Sequence, residues 1–356
     1  EALPTVEYVV SRGGRAILAS HLGRPKGKRV EAMSLRPVAK RLQELLRQRV
    51  VMAEDCVGDE VISRVRAMKD GDVLLLENLR FHAEETENDD AFSRQLAELA
   101  DVYVNDAFGS AHRAHSSTEG ITRHIPLSAA GLLLEREIKH LSKIASNPDR
   151  PYIACLGGAK VADKLETISS LVERVDVLVV GGKMAFTFLA AKGEKLAAGL
   201  IELDRVAETR NALDKAKRRG VEILLPVDHV VASQPSEEVE SRTVTTDGIP
   251  EGWLPFDIGS ETRAVFGAKL GQGKTIFWNG PMGLYEVDRF NAGTVAVAEA
   301  IARSGALTVL GGGDTIAAAR KAGCLDQFTH VSTGGGALLE FLQGKELPGL
   351  TALTDR

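Results

Sequence analysis

The sequence predicts an α/β protein of two Rossmann-like lobes, each a three-layer α/β/α arrangement with a mainly parallel sheet, joined by an interdomain helix and a hinge. Three observations carry that expectation. Short apolar runs alternate with amphipathic stretches through both halves of the chain, the pattern of parallel strands covered by helices. At 356 residues the chain is long enough for two domains. Its second half holds four glycine-rich turns: Gly157-Gly158-Ala159-Lys160, Gly181-Gly182, Asn279-Gly280-Pro281 and Gly311-Gly312-Gly313-Asp314-Thr315.

In the first half, Ala2–Val10 reads as a helix feeding a strand at Ala16–His21, and further strands are expected at Val50–Ala53, Val73–Glu77 and Val102–Asp106. Pro37–Arg47 and Asp89–Ala100 carry helical patterns between them. Leu132–Ser146 is an amphipathic helix that ends in Asn147-Pro148-Asp149-Arg150-Pro151, where two prolines stop it and make an interdomain joint. A fresh alternation starts at Tyr152. Tyr152–Leu156, Val177–Val180 and Leu307–Leu310 read as buried parallel strands, and Thr275–Trp278 as a shorter, more mixed one. Helices are expected at Val161–Val175, Ala185–Lys192, Arg205–Arg219, Asn291–Ser304 and Ile316–Ala322, while Val239–Ile258 reads as a short β excursion or a surface loop. The expected domains are residues 1–147, residues 148–338, and a segment 339–356 that packs back towards the first lobe.

Composition narrows the class. Hydrophobic content of 44% with 26% charged residues describes a globular protein, and aromatics at 5% leave the cores to Val, Leu, Ile and Ala. Lys+Arg 44 against Asp+Glu 49 gives a net charge of −5, which argues against bulk nucleic-acid binding. Cys56, Cys155 and Cys324 show no metal-ligand spacing and read as buried small apolar residues, which suits a reducing cytoplasm. No apolar run is long enough to span a membrane.

Two constellations carry chemistry. In the first half, basic residues stand at strand ends: Ser20-His21-Leu22-Gly23-Arg24-Pro25, Leu79-Arg80-Phe81-His82, and Ala111-His112-Arg113-Ala114-His115. Strand ends of one sheet meet at one edge, so Arg24, Arg80 and Arg113 are expected to converge with His21 and His112 as a pocket for a small, multiply charged anion. Any one of these arginines alone would read as solvated surface charge. In the second half, glycine lets backbone N–H groups approach a phosphate, and a helix N-terminus adds partial positive charge. Lys160 and Lys164, four apart at the start of a helix, share a face where a bound anion would remove their conflict with the helix dipole, the alternative being a structural role. Asp314 and Thr315 read either as an N-cap pair or as part of a phosphate cradle with Asp314 near Mg²⁺. Glu286 accepts from a ribose hydroxyl or is solvated surface. Gly271-Gln272-Gly273-Lys274-Thr275 mimics a P-loop, but Ala268 occupies the first glycine position and Lys274-Thr275 runs into a strand.

A basic metabolite pocket on one lobe and a nucleotide crevice on the other suggest phosphoryl transfer. Along its whole length the chain resembles the phosphoglycerate kinase family, through Ser20–Pro25, Leu79–His82, Asn105–Ser117, Leu156–Lys164, Gly181–Phe188, Trp278–Glu286, Gly311–Thr315 and Ser332–Ala337. The resemblance implies reversible transfer between 1,3-bisphosphoglycerate with ADP and 3-phosphoglycerate with ATP, Mg²⁺ on the nucleotide, in a cytoplasmic monomer whose hinge involves Asn147–Pro151 and Ser332–Gly336. It implies that His21, Leu22, Gly23, Arg24, Arg80, His112 and Arg113 bind phosphoglycerate. Gly157, Gly158, Lys160, Lys164, Gly181, Gly182, Asn279, Pro281, Glu286, Gly312, Gly313, Asp314 and Thr315 would bind the nucleotide, with Asp314 at the metal. Lys160, Arg24 and Gly313 would take part in transfer. The family's opening strand, of the type Arg-Val-Asp-Phe-Asn-Val-Pro, has no counterpart ahead of Glu1 in this sequence. An active kinase and a truncated form that binds nucleotide without turnover are the two readings this leaves. Lys183 and Leu338 stand where glycine and serine are common.

Overall fold

The computed structural model describes residues 1–354. The chain packs as two compact units, Glu1–Ile138 with the segment from Glu346 onward, and Lys139–Lys345. The first division falls inside the helix Leu132–Ser146. No helix of the described residues is long and apolar enough to cross a membrane.

In the first unit, strands β1 (Ala16–Leu18), β2 (Val50–Met52) and β3 (Val73–Leu75) form a parallel sheet in the order β1-β3-β2. The central β3 is Val-Leu-Leu and wholly buried, as a strand covered on both faces must be. Val61, Phe92, Leu96 and Ile121 pack with Leu74 and Leu76 into one core. The strands stop short of their expected ends because the backbone turns into loops there. Leu79 N–H donates to Ser20 O at 3.1 Å, and the buried Glu77 carboxylate accepts from Leu35 N–H at 2.9 Å, Asn78 N–H at 2.7 Å and Ser34 Oγ at 2.7 Å. The stretch expected as a fourth strand of this sheet behaves differently. β4 (Tyr103–Asn105) takes its ladder from β5 (Ser128–Ala130) in a separate parallel pair. The C-terminal segment is tied to that pair, with Asn105 Nδ2 donating to Gly349 O at 2.9 Å and Thr354 N–H to Ser128 O at 2.9 Å.

The second unit is built on six parallel strands: β6 (Tyr152–Leu156), β7 (Val177–Val180), β8 (Glu222–Leu224), β12 (Thr275–Asn279), β13 (Leu307–Leu310) and β14 (His330–Val331). Their order is β14-β13-β12-β6-β7-β8. The chain therefore runs outward from β6 in one direction and from β12 in the other. The crevice between two such strands is the topological switch point where open α/β sheets bind ligands. Thr275 opens β12, so the P-loop-like segment does lead into a strand. The irregular stretch resolves into β10 (Ser241–Thr245) and β11 (Leu254–Ile258), which flank β9 (Asp228–Ala232) in an antiparallel sheet.

Two helices differ from expectation in ways that bear on the site. The stretch expected as Val161–Val175 is helical only over Leu165–Leu171. Glu202 holds its start as a turn, accepting from Val161 N–H at 2.5 Å and Ala162 N–H at 3.3 Å, and Lys164 caps the helix from outside it with φ −127°. Lys160 and Lys164 therefore do not share a helical face. The last glycine turn enters its helix earlier than expected, at Gly313, with Gly312 as N-cap at φ +95°. Asp314 and Thr315 lie in the first turn and are not the N-cap pair.

Asp228 supplies the cap that the helix Ser260–Leu270 lacks locally. Its carboxylate accepts from Glu261 N–H at 3.0 Å, Thr262 N–H at 2.8 Å and the Thr262 hydroxyl at 2.6 Å. Burial pushes its pKa up, but the bonds from Thr262 and Glu261 outweigh that and hold it below the ordinary aspartate value. Asp228→Ala is expected to lower stability by about 1–2 kcal/mol, read as a shifted urea midpoint with unchanged slope. A depressed carboxylate stabilises the fold above its unfolded pKa, so the difference from wild type should close as acid protonates Asp228.

Candidate functional site

On the first unit the predicted basic residues come together, although they stand on loops of two separate sheets. Arg80 is 8% exposed, and Arg113 and Arg24 both act electrostatically on it. Arg80 Nη1 donates to Gly23 O at 3.0 Å, and Arg113 Nε donates to His112 Nε2 at 3.2 Å. His21 is half-buried, whereas Leu22, Gly23 and Arg24 are exposed on the turn beyond β1. Burial, then Arg80 and Arg113, lower His21 to a pKa of about 4. His115 falls to about 4 for the same reasons, with His21 and His112 adding to the effect. Both imidazoles are therefore neutral near pH 7. Like charges have been gathered here against their repulsion, and among the described residues the buried Arg80 Nε has no hydrogen-bond partner. A multiply charged anion would relieve both conditions.

The structure adds two residues that the sequence reading passed over. Asn78 is fully buried. Its amide donates to Leu22 O and Met33 O, both at 2.8 Å, while its oxygen accepts from Arg80 N–H at 3.1 Å. One side chain thus fixes the His21–Arg24 turn relative to Arg80. Glu85 is 2% exposed and accepts from Ser117 N–H at 3.0 Å and Ser117 Oγ at 2.6 Å, holding the loop that carries Arg113. Burial lifts its carboxyl to about 6 against those bonds and the pull of Arg80. An asparagine ending a strand is a common turn former, so Asn78 carried a weak sequence signal. Glu85 carried none, because its partner lies 32 residues away.

On the second unit the four glycine turns meet at the switch point. Gly157 N–H donates to Asn279 O at 3.1 Å, Gly182 N–H to Met282 O at 3.1 Å, and Met184 N–H to Gly158 O at 3.1 Å. Asn279 Nδ2 donates to Gly311 O at 2.7 Å, and Gly280 N–H to Thr315 Oγ1 at 2.7 Å. The backbones approach too closely for side chains. A Cβ on Gly182, already at φ +67°, would meet Gly158 N at 2.6 Å. Lys164 folds back over this junction, its Nζ donating to Gly157 O at 2.6 Å and Asn279 O at 2.8 Å. Desolvation lowers its pKa to about 8. Lys160, Gly313, Asp314 and Glu286 are exposed around the junction, with Pro281 half-buried. Asp314 acts electrostatically on Lys164 and, with Glu286, on Tyr285. Leu338 is buried against Gly311, and Lys183 is exposed.

A junction of glycine turns, a half-buried lysine and exposed carboxylates at a switch point form an arrangement suited to phosphate groups. With a polyanion pocket on the other unit, it defines a phosphotransferase acting on a small acidic metabolite. The family model for phosphoglycerate kinase matches residues 1–345. The phosphoglycerate kinase of Pelotomaculum thermopropionicum is 52% identical over 100% of this chain and 90% of its own length, and that of Chlorobium limicola is 49% identical with the same coverage. Among solved structures, the phosphoglycerate kinase of Coxiella burnetii superposes with a TM-score of 0.88 at 38% identity, covering 99% of this chain and 89% of its own. That of Pyrococcus horikoshii gives a TM-score of 0.86 at 36% identity, with the same coverage. The chain belongs to the phosphoglycerate kinase family, whose members transfer a phosphoryl group to and from a carboxyl group.

Asn78→Ala should raise the KM for the acidic substrate by at least about tenfold, since loop misplacement by an ångström is enough to do so, while the nucleotide KM stays put. Steady-state kinetics with each substrate varied in turn would check it. Equal changes in both constants would mean a general loss of fold.

Proposed function

We propose that the chain catalyses reversible phosphoryl transfer from 1,3-bisphosphoglycerate to MgADP, giving 3-phosphoglycerate and MgATP, as a cytoplasmic, monomeric glycolytic enzyme. The observation that carries this reading is the presence of an arginine cluster around the buried Arg80 on one unit and a lysine-capped glycine junction on the other. In this reading His21, Leu22, Gly23, Arg24, Arg80, His112 and Arg113 hold phosphoglycerate. Gly157, Gly158, Gly181, Gly182, Asn279, Pro281 and Gly312–Thr315 cradle the nucleotide, with Glu286 on the ribose. The exposed Asp314 offers hard oxygen donors, which suit Mg²⁺, an ion that takes one or two carboxylates together with phosphates. When bound, Mg²⁺ neutralises charge on the phosphate oxygens.

The acceptor is a carboxylate, already ionised near neutrality, so no proton has to be removed. Catalysis becomes positioning and charge stabilisation. An ammonium has three donors, and Lys164 commits two of them to Gly157 O and Asn279 O, leaving the third for a phosphate oxygen. Lys160, free of the helix and exposed, steadies the phosphoryl group in transit. Arg24 and the Gly313 amide act on the same group. Donor and acceptor must meet with water excluded, which is the task of hinge-bending near Asn147–Pro151 and Ser332–Gly336.

A coupled assay of ATP-dependent 3-phosphoglycerate turnover tests the reading directly; nucleotide binding without turnover would overturn it. Lys160→Ala is expected to lower kcat by about 100-fold or more with nucleotide affinity nearly unchanged. Proton linkage gives an independent check. A bound anion favours the charged imidazole, so His21 and His115 should rise from about 4 towards or beyond the ordinary 6.5. Phosphoglycerate binding should then take up protons at about pH 5.5 and progressively fewer as pH rises towards 8. Calorimetry in two buffers of different ionisation enthalpy would read this after correction for the ligand phosphate's own titration (second pKa about 6), and no histidine uptake left at about pH 5.5 would exclude a histidine-lined anion pocket.

A further inference from the structure

Asp55, Cys56 and His82 lie away from the roles assigned above, and each offers a metal-ligating atom, all within 4.8 Å of one another. The loop Ala53–Gly58 leaves the carboxyl end of β2, and His82 follows the short helix Leu79–Phe81 beyond the neighbouring β3. Glu77 N–H donates to Asp55 O at 3.3 Å, binding the two loops together. Asp55 Oδ1 accepts from Cys56 N–H at 2.7 Å and lies 2.6 Å from His82 Nε2. The His82 ring is stacked on Phe92 at 5.2 Å between centroids, which fixes its plane. Cys56 is fully buried beneath, while Asp55 and His82 reach solvent, their side chains 47% and 27% exposed.

We propose that these three side chains form a binding site for a borderline-soft divalent cation of the zinc class, with its fourth position open to solvent on the Asp55–His82 side. One thiolate, one imidazole and one carboxylate are the donor mix such ions take, whereas Mg²⁺ prefers oxygen alone. The two anionic ligands would balance the ion's charge. Starting from the imidazolium paired with the Asp55 carboxylate, binding releases two protons to solvent, one from His82 Nε2 and one from the Cys56 thiol: Nε2 becomes the ligating lone pair, the sulfur ligates as thiolate, and the imidazole keeps its other proton on Nδ1. Asp55 Oδ1 and His82 Nε2, 2.6 Å apart, stand closer than two ligands of one tetrahedral ion with bonds of about 2 Å, so small side-chain rotations part them when the ion enters.

The test is a titration of the whole protein with Co²⁺ in excess Mg²⁺, followed by absorption. A one-to-one complex should show tetrahedral ligand-field bands and a near-ultraviolet thiolate-to-cobalt charge-transfer band, both bleached by Zn²⁺. Cys56→Ser should abolish the charge-transfer band, and His82→Gln should weaken Co²⁺ binding by about 100-fold or more, beyond the loss usual for an outer-shell partner. Circular dichroism identifies any variant that fails to fold, and the other variant then carries the test. Octahedral cobalt bands alone, or a charge-transfer band that survives in Cys56→Ser through Cys155 or Cys324, would overturn the proposal.

Discussion

The second unit depends on one half-buried ammonium. Lys164 Nζ bridges the carbonyls of Gly157 and Asn279, the residues that end or directly follow β6 and β12, from which the sheet grows in both directions. Removing a lysine charge from water is costly, and its depressed pKa of about 8 records that cost. Two carbonyls offset it, and they can do so only because the strand ends lie within hydrogen-bonding distance of each other. The glycines follow from this. Gly182 and Gly158 cross backbone to backbone, Thr315 accepts from Gly280 N–H, and Asn279 reaches Gly311. Four turns far apart in sequence thereby become one braced platform.

The first unit solves the anion problem with opposite means. Where the glycine platform uses neutral dipoles around one cation, the basic cluster concentrates full charges. Arginines held near one another repel, and burial of Arg80 sharpens the conflict. The counterweights are the positioning groups: Asn78 fastens the turn of His21 to the backbone of Arg80, and Glu85 fastens the loop of Arg113. The histidines stay neutral in this setting, so the cluster avoids two further positive charges.

The sequence made the architecture of the second unit legible because its strands are continuous apolar runs and its turns are marked by glycine. Tyr152–Leu156, Val177–Val180 and Leu307–Leu310 are strands at their expected limits. Expectation failed where tertiary contacts override local pattern. Val161–Lys164 has helical periodicity, yet Glu202 and the Gly157 and Asn279 carbonyls hold it as a turn. The convergence of Arg24, Arg80 and Arg113 was readable from their places beyond strands, but the sheet that carries Arg113 was not, since three-residue strands do not announce their partners. Side chains such as Glu85, whose contacts are made 32 residues away, leave no periodic trace.

The antiparallel excursion β9–β11 shows how a segment without chemistry of its own still serves the site. Leu284 N–H donates to Phe256 O at 2.7 Å, so the turn leading to Glu286 leans on β11. The Asp257 carboxylate accepts from Gly293 N–H at 2.6 Å and Ile258 N–H at 2.9 Å, while Gly283 and Gly293 both lie so close that a Cβ on either would collide with it. Burial lifts Asp257 to about 7 against those bonds. A raised carboxyl stabilises the folded state fully only below its unfolded value, and that contribution is lost as pH rises through about 7. The brace behind Glu286 is therefore held in balance between desolvation and two backbone amides. In contrast to Lys164, whose charge is secured by the strand ends themselves, this carboxyl sits where burial outweighs its hydrogen bonds. The turn that carries Glu286 is the one whose support titrates near neutrality.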